Sequence, residues 1–366
     1  MALPGSACLY SCIEFFAYST DIPQEYSLGG NTLFFKVIFG RFGSNISVSK
    51  TNVHHLICLT FAALTLGGTV AQAQPYAYVT NIAGNNVSVV NTASNTVIAW
   101  VPVGIGPCGV AVTPNGEYVY VANETTNNIS IISTSTYTVT GTIAVGTTPT
   151  RLAISPNGAD VYVVDQGSNQ VSVISTASNG VIATINVGMR PSNVAFTPDG
   201  KHALVTNLYS STVSVINTAT LRVTGTFATG YAPSAVLVST NGEYAYVANQ
   251  SSNTVTVHAI PVGNIVATII GVVGPNALAM LPNGSAFYVS NGNASSVSEV
   301  STSSYQITAT VATGSLPYSI AISATGTEAY VANEYGLSLT TISTGSNTVL
   351  YTLPEVGTYP VGVATH

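Results

Sequence analysis

The sequence predicts an all-β protein, a seven-bladed β-propeller with four antiparallel strands per blade. Three observations carry the prediction. A pentapeptide of one pattern recurs at a constant step of 42 residues: AYVTN at 77, VYVAN at 119, VYVVD at 161, ALVTN at 203, AYVAN at 245, FYVSN at 287 and AYVAN at 329. Each interval divides into four short runs rich in Val, Ile, Thr and Tyr, separated by polar turn residues. The chain ends on a motif, PVGVATH (360–366), that opens each later repeat but is missing before the first.

The elements of one repeat follow in order, taking 107–146. CGVAVT (108–113) is a first strand. PNGE (114–117) is a turn, with Pro fixing φ and Gly free to take φ > 0. YVYVAN is the second strand, ETTNN a polar loop, ISIIST an alternating third strand and TVTGTIAVG the fourth. No window carries a helical period. Val79 and its equivalents Val121, Val163, Val205, Val247, Val289 and Val331 occupy every copy, and the preceding residue is Tyr in six copies and Leu204 in one. Neighbouring residues of a strand point to opposite faces, so both faces of each sheet are apolar. A four-stranded sheet cannot cover two apolar faces alone. Stacking repeated sheets around an axis covers both.

The ring closes through its ends. First strands begin at Pro107, Pro149, Pro191, Pro233, Pro275 and Pro317, and the seventh at Pro360. The N-terminal end therefore supplies strands two to four of one blade, and the C-terminal end its innermost strand. Closure leaves no exposed edge around the ring. The last first-strand motif comes one residue late. The surplus falls in LPEVG (353–357), where a bulge in the preceding strand is expected.

Composition agrees with this fold. The chain has 366 residues, of which 46% are hydrophobic and 5% charged. About 25% charge is usual in soluble domains. The apolar residues alternate with Ser, Thr and Asn instead of forming spanning runs, so no membrane span is expected in the mature chain. A net charge of −6 excludes a broad basic surface, and nucleic acid is not an expected partner. Residues 50–74, KTNVHHLICLTFAALTLGGTVAQAQ, have the layout of a secretory signal peptide, with cleavage expected near Ala73 and export to the periplasm, cell surface or medium. The domains are accordingly a leader (1–49), a signal peptide (50–73) and the propeller (74–366). Signal peptides begin at the N-terminus, so the leader suggests translation starting near Val48 or Val53. Of Cys8, Cys12, Cys58 and Cys108, only Cys108 belongs to the expected mature chain, so packing and not an internal disulfide must stabilise it.

The motifs YVTN (78–81), YVAN (120–123, 246–249, 330–333), SPNG (155–158), TPDG (197–200) and VSVINT (213–218) resemble the YVTN-repeat β-propeller family. They are also similar to the wider group of quinoprotein-amine-dehydrogenase-like and WD-repeat-like propellers. The resemblance covers 76–366. It implies an exported or surface protein of bacterial or archaeal type and leaves activity open.

In such a ring the first strands line a central channel. The connections into them and the loops between strands two and three share one face, and similar propellers bind ligands there. Four Lys/Arg follow residue 73: Arg151, Arg190, Lys201 and Arg222. Arg151 and Arg190 map to this face. Asp165 replaces the Asn of the other six copies. Arg151 starts one strand and Asp165 ends its partner, so a local ion pair is expected, worth about 0–1 kcal/mol. The functional alternative is an anion- or sugar-recognising patch of Arg151, Asp165, Arg190, Glu124, Tyr209, Tyr231, Tyr318, Tyr335 and Tyr359, combining guanidinium forks with flat amphipathic rings. His202, His258 and His366 fall in different blades, so no metal-ligand spacing exists and no cofactor is expected. Some similar propellers are lactonases that use acidic residues around a channel metal. Here the channel segments CGVAV, TRLAI, SNVAF, SAVLV, NALAM, YSIAI and VGVAT contain no Asp, Glu or His, which argues against that activity. The sequons at 123, 128, 249, 283 and 293 follow from an Asn/Ser/Thr-rich repeat and are read as composition. The expected function is a monomeric binding or scaffold module for protein or glycan partners at the envelope. The alternative is a lactonase-like hydrolase or cofactor-dependent dehydrogenase using the channel face.

Overall fold

The computed structural model describes residues 76–365. The leader, the signal segment, Cys8, Cys12, Cys58 and His366 lie outside the described residues. Seven four-stranded antiparallel sheets form the ring. The second blade is β4 (Pro107–Val112), β5 (Tyr118–Asn123), β6 (Asn128–Ser133) and β7 (Thr138–Ala144). Blades 3 to 7 are β8–β11 (149–186), β12–β15 (191–228), β16–β19 (233–269), β20–β23 (275–312) and β24–β27 (317–354). The first blade combines β1 (Tyr76–Asn81), β2 (Asn86–Asn91) and β3 (Thr96–Pro102) with the C-terminal β28 (Pro360–Thr365), in the order β28-β1-β2-β3. Val79 pairs with Val363 and Tyr78 with Ala364 across that closure. Among the described residues no helix is long and apolar enough to cross a membrane.

The extra residue before β28 does not bulge the preceding strand. β27 (Thr348–Pro354) pairs with its neighbour through Pro354, and its irregularity, between Thr341 and Ile342, matches that between Ile131 and Ile132 of blade 2. The insertion falls in the connection at Glu355–Val356, where Glu355 takes φ +54°. A loop absorbs an additional residue without breaking the sheet ladder, which explains the difference.

The core lies between blades. Tyr78, Val87, Val89 and Val101 of blade 1 pack against Val119, Val121 and Ile132 of blade 2. The same contact recurs around the ring. Each such side chain contributes about 1.5–3 kcal/mol by leaving water. The second-strand tyrosines add a polar tie. Tyr120 Oη donates to Asn179 Oδ1 of the next blade at 2.7 Å, and Tyr288 Oη to Asn347 Oδ1 at 2.7 Å.

Much of the Asn content is structural and not available for contacts. Asn85, Asn127, Asn169 and Asn253 are left-handed, and their Oδ1 atoms accept the backbone N–H of Gly106, Thr148, Arg190 and Gly274 at 2.7–3.0 Å. Asn tolerates this backbone at little cost. The second-strand Asn is buried and bonds inward, as Asn123 Nδ2 does to Asn128 Oδ1 (2.8 Å) and Ser130 Oγ (2.9 Å). Glycine approaches it closely: a Cβ on Gly104 would lie 2.6 Å from Asn123 Cγ.

Candidate functional site

Two sevenfold rows meet at the channel mouth. The residue after each first-strand proline gives Cys108, Thr150, Ser192, Ser234, Asn276, Tyr318 and Val361. The residue after each second-strand Asn or Asp gives Ile82, Glu124, Gln166, Leu208, Gln250, Gly292 and Glu334. All of the first row and all but Gly292 of the second line one cavity of about 440 Å³, joined by Arg151, Arg190 and Tyr209. Backbone symmetry puts equivalent positions around one cup, and the sequence differences between repeats make its wall chemically uneven.

The floor is tight. A Cβ on Gly109 would lie 2.8 Å from Arg151 Cα, and one on Gly362 would lie 2.3 Å from the Cys108 carbonyl. Arg151 crosses this constriction. Its Nη1 donates to the Val361 carbonyl at 3.2 Å, and its guanidinium lies 5.0 Å from the Tyr318 ring centroid. Beneath it is a chamber of about 130 Å³ that Arg151 and Asn276 share with the cup.

The wall between blades 4 and 7 is neutral and self-bonded. Ser192 and Ser234 donate to the Pro233 and Pro275 carbonyls at 2.6 and 2.7 Å, and Gln250 Nε2 donates to Asn276 Oδ1 at 2.6 Å. Glu124 and Glu334 stand on blades 2 and 7. Cys108 Sγ donates to Glu124 Oε2 at 3.4 Å. Burial first, then the Glu124 charge, pushes the Cys108 thiol up to about 12, so it is no thiolate nucleophile at neutral pH. Desolvation raises the Glu334 carboxyl above its ordinary range. Burial also raises the Tyr318 hydroxyl, against a lowering pull from Arg151. At the rim, Arg190 has φ +53°; its Nε donates to Gln166 Oε1 at 3.2 Å, its Nη1 bonds Tyr209 Oη, and its guanidinium lies 4.8 Å from the Tyr209 ring centroid.

Of the sequence-predicted site residues, Glu124, Arg151, Arg190, Tyr209 and Tyr318 share the cup. Tyr231 is 74% exposed and lies outside its lining, as do Tyr335 and Tyr359, which pack edge-on at 5.9 Å. Asp165 does not join, and the expected Arg151–Asp165 ion pair does not form. Arg151 pairs in register with Val164, and the fully buried Asp165 turns into its blade to accept from Ser172 Oγ at 2.6 Å. Adjacent strand residues alternate in direction, so proximity along the ladder did not bring the charges together. Burial raises the Asp165 carboxyl to about 6. Among the described residues the one ion pair within 4 Å is Lys201–Asp199, on the opposite face. His258 is buried between the Gly263 carbonyl (2.9 Å) and Thr256 Oγ1 (2.8 Å), a structural placement.

Sequence reasoning missed Glu334, Gln166, Gln250 and Asn276. The signal was available, because each stands one residue beyond a repeat landmark at the 42-residue step. The argument against a hydrolase is corrected for the same reason. The first strands carry no acid, but Glu124 and Glu334 reach the cup from the positions just after the second strands.

The family model described as "Lactonase, 7-bladed beta-propeller" matches residues 70–188. No curated protein matches the chain. Among solved structures, the chain is similar to hydrazine synthase of Kuenenia stuttgartiensis, with 23% identity over 73% of this chain and 92% of that one and a TM-score of 0.69. It is similar to a candidate 6-phosphogluconolactonase of Bacteroides fragilis, with 17% identity over 82% and 99% of the two chains and a TM-score of 0.69. A second candidate 6-phosphogluconolactonase, from Bacteroides uniformis, shows 17% identity over 80% and 100% with a TM-score of 0.67. At these identities the likeness shows the fold. A channel metal does not fit the donors present: the cup's carboxylates, Glu124 and Glu334, stand on blades 2 and 7, and among the described residues no three of His, Cys, Asp and Glu group to hold an ion.

Proposed function

We propose that the protein is a lactonase-like hydrolase that opens a small polar lactone in the channel-mouth cup. One observation carries the reading: the Arg151 guanidinium stands on the cup floor with no ion pair within 4 Å among the described residues, in a cavity that also holds Glu124 and Glu334. The partial lactonase-family match and the candidate lactonases of the same fold support it.

The residues divide the work as follows. Arg151 donates to the lactone carbonyl oxygen and stabilises the negative charge that develops there. Its contact with Tyr318 and the Val361 carbonyl holds the fork in place without a carboxylate that would neutralise it. Glu334 accepts a proton from water as the oxygen adds to the acyl carbon. The raised carboxyl brings its pKa toward the working pH, as a general base requires. Collapse of the tetrahedral species breaks the ring C–O bond, and the proton returns from Glu334 to the departing alkoxide. The product is one hydroxy acid, so atoms balance with water as sole co-reactant. Glu124, held by the Cys108 thiol, and Gln250 with Asn276 orient ring hydroxyls.

The test is acid release from a panel of γ- and δ-lactones, followed at constant pH. Turnover that Arg151→Met and Glu334→Gln abolish, in proteins that melt like wild type, supports the reading. Turnover unaffected by either substitution, or none across the panel, removes it.

A further inference from the structure

Beside the cup, on the shoulder between blades 3 and 4, lies a second hollow of about 280 Å³. Gln166, Arg190 and Tyr209 line both cavities, so these three side chains form the saddle between them. The hollow adds Thr148, Gly167, Asn169 and Met189, none of which lines the cup.

Its chemistry differs from that of the cup. Met189 is 60% exposed and Tyr209 61%, so the thioether and the ring both present free surface at this shoulder. Gly167 forms a flat stretch of wall, because a Cβ there would meet Thr147 Oγ1 and Thr148 Oγ1 at 2.8 Å. The saddle is held in one arrangement: Arg190 stacks on Tyr209, bonds Gln166 Oε1 and is fixed at its backbone N–H by Asn169 Oδ1 at 2.7 Å. A thioether, an aromatic ring and a guanidinium plane on one small wall favour a flat apolar ring over a charged or hydroxylated group.

We propose that this shoulder is a second subsite, taking an aromatic ring carried by a ligand whose polar head occupies the cup. The inference rests on the cup being the ligand site, and it extends the substrate class from a bare polar lactone to one bearing an aromatic substituent. Continuity of the two cavities across the Arg190 saddle argues for this occupant.

The test measures binding, so it does not depend on turnover. The probes are two ring-opened acids, 5-hydroxy-5-phenylpentanoate and 5-hydroxypentanoate, titrated by calorimetry into the wild type and Met189→Ser. The phenyl acid should bind about tenfold more tightly than the plain acid to the wild type. Met189→Ser should bring that ratio to within about twofold while leaving the plain acid's affinity unchanged. A crystal structure with the phenyl acid should place the ring against Met189 and Gly167. Equal binding of the two acids, a preference that survives Met189→Ser, or no binding of either at about 10 mM overturns the subsite. The hydrolase reading fails separately, when neither parent lactone is opened although the phenyl preference holds.

Discussion

Tyr162 and Leu221 share the apolar cluster between blades 3 and 4, and the tyrosine hydroxyl there is buried with no hydrogen-bond partner among the described residues. In the equivalent contacts Tyr120 reaches Asn179 and Tyr288 reaches Asn347, both 59 residues ahead, and Leu221 occupies that position for Tyr162. Leu221 also sits at φ +54°, a backbone that suits Asn better than Leu.

Leu221→Asn should therefore stabilise the protein by about 1 kcal/mol, since a partner for the hydroxyl and relief of the backbone outweigh lost packing of a half-buried Leu. Calorimetry should show Tm rising by about 2–4 °C. Tyr162→Phe should be neutral or stabilising, whereas Tyr120→Phe should cost about 1 kcal/mol and strand Asn179. Equal losses in the two Tyr→Phe variants would contradict the pairing.

Asp165 makes stability depend on pH. Burial raises its carboxyl from 3.8 to about 6, so the fold favours the neutral form. The stabilising contribution is complete below about pH 4 and is lost as pH rises through about 6. Asp165→Asn restores the amide of the other repeats, whose Nδ2 donates to the third strand as Asn123 does to Ser130. The variant should gain about 2–3 kcal/mol at pH 8 and almost nothing at pH 4. Unfolding in denaturant at the two pH values measures the difference, and an equal gain at both would exclude ionisation as its cause.

Removal of 360–366 should destabilise the whole ring and not one blade. The segment covers Val79 and buries Val361 and Val363, which alone are worth about 3–6 kcal/mol. The truncated protein should melt well below the full chain or fail to accumulate folded. Gly362→Val should act in the same direction, because its Cβ would lie 2.3 Å from the Cys108 carbonyl. An unchanged melting temperature after truncation would mean that β28 does not close the ring.

For hydrolysis, Glu334→Gln should lower kcat by about 10²–10⁴-fold with a small change in KM. The acid limb of the wild-type pH–rate profile should lie above the ordinary carboxylate range, because desolvation raises Glu334, and activity should fall as pH drops through it. A Glu334→Gln variant keeping wild-type kcat would remove Glu334 as the base.

The 42-residue step, the four runs per step and the displaced first strand suffice to derive the ring and its closure from the sequence. They follow from local rules: alternation specifies strands, Pro and Gly specify turns, and repetition forces neighbouring sheets to share their apolar faces. The Tyr-Val pair of six second strands, Leu204-Val205 in the seventh, marks both buried faces. Composition of the cup was legible only in part. Glu124, Arg190 and Tyr318 could be placed on the right face, since face is a property of the repeat register.

Tertiary structure decided which side chains look into the cup and which turn away. Asp165 and Gln166 are neighbours in sequence, yet one is sealed in a blade and the other reaches the Arg190 saddle. Arg151 crosses the channel to blades 1 and 7, a contact more than 160 residues away in sequence in each case. A repeat written along one chain determines equivalent positions, because each blade obeys the same local forces. Closing seven unequal copies on one axis determines what those positions face, because only then do residues from distant repeats compete for the same small volume.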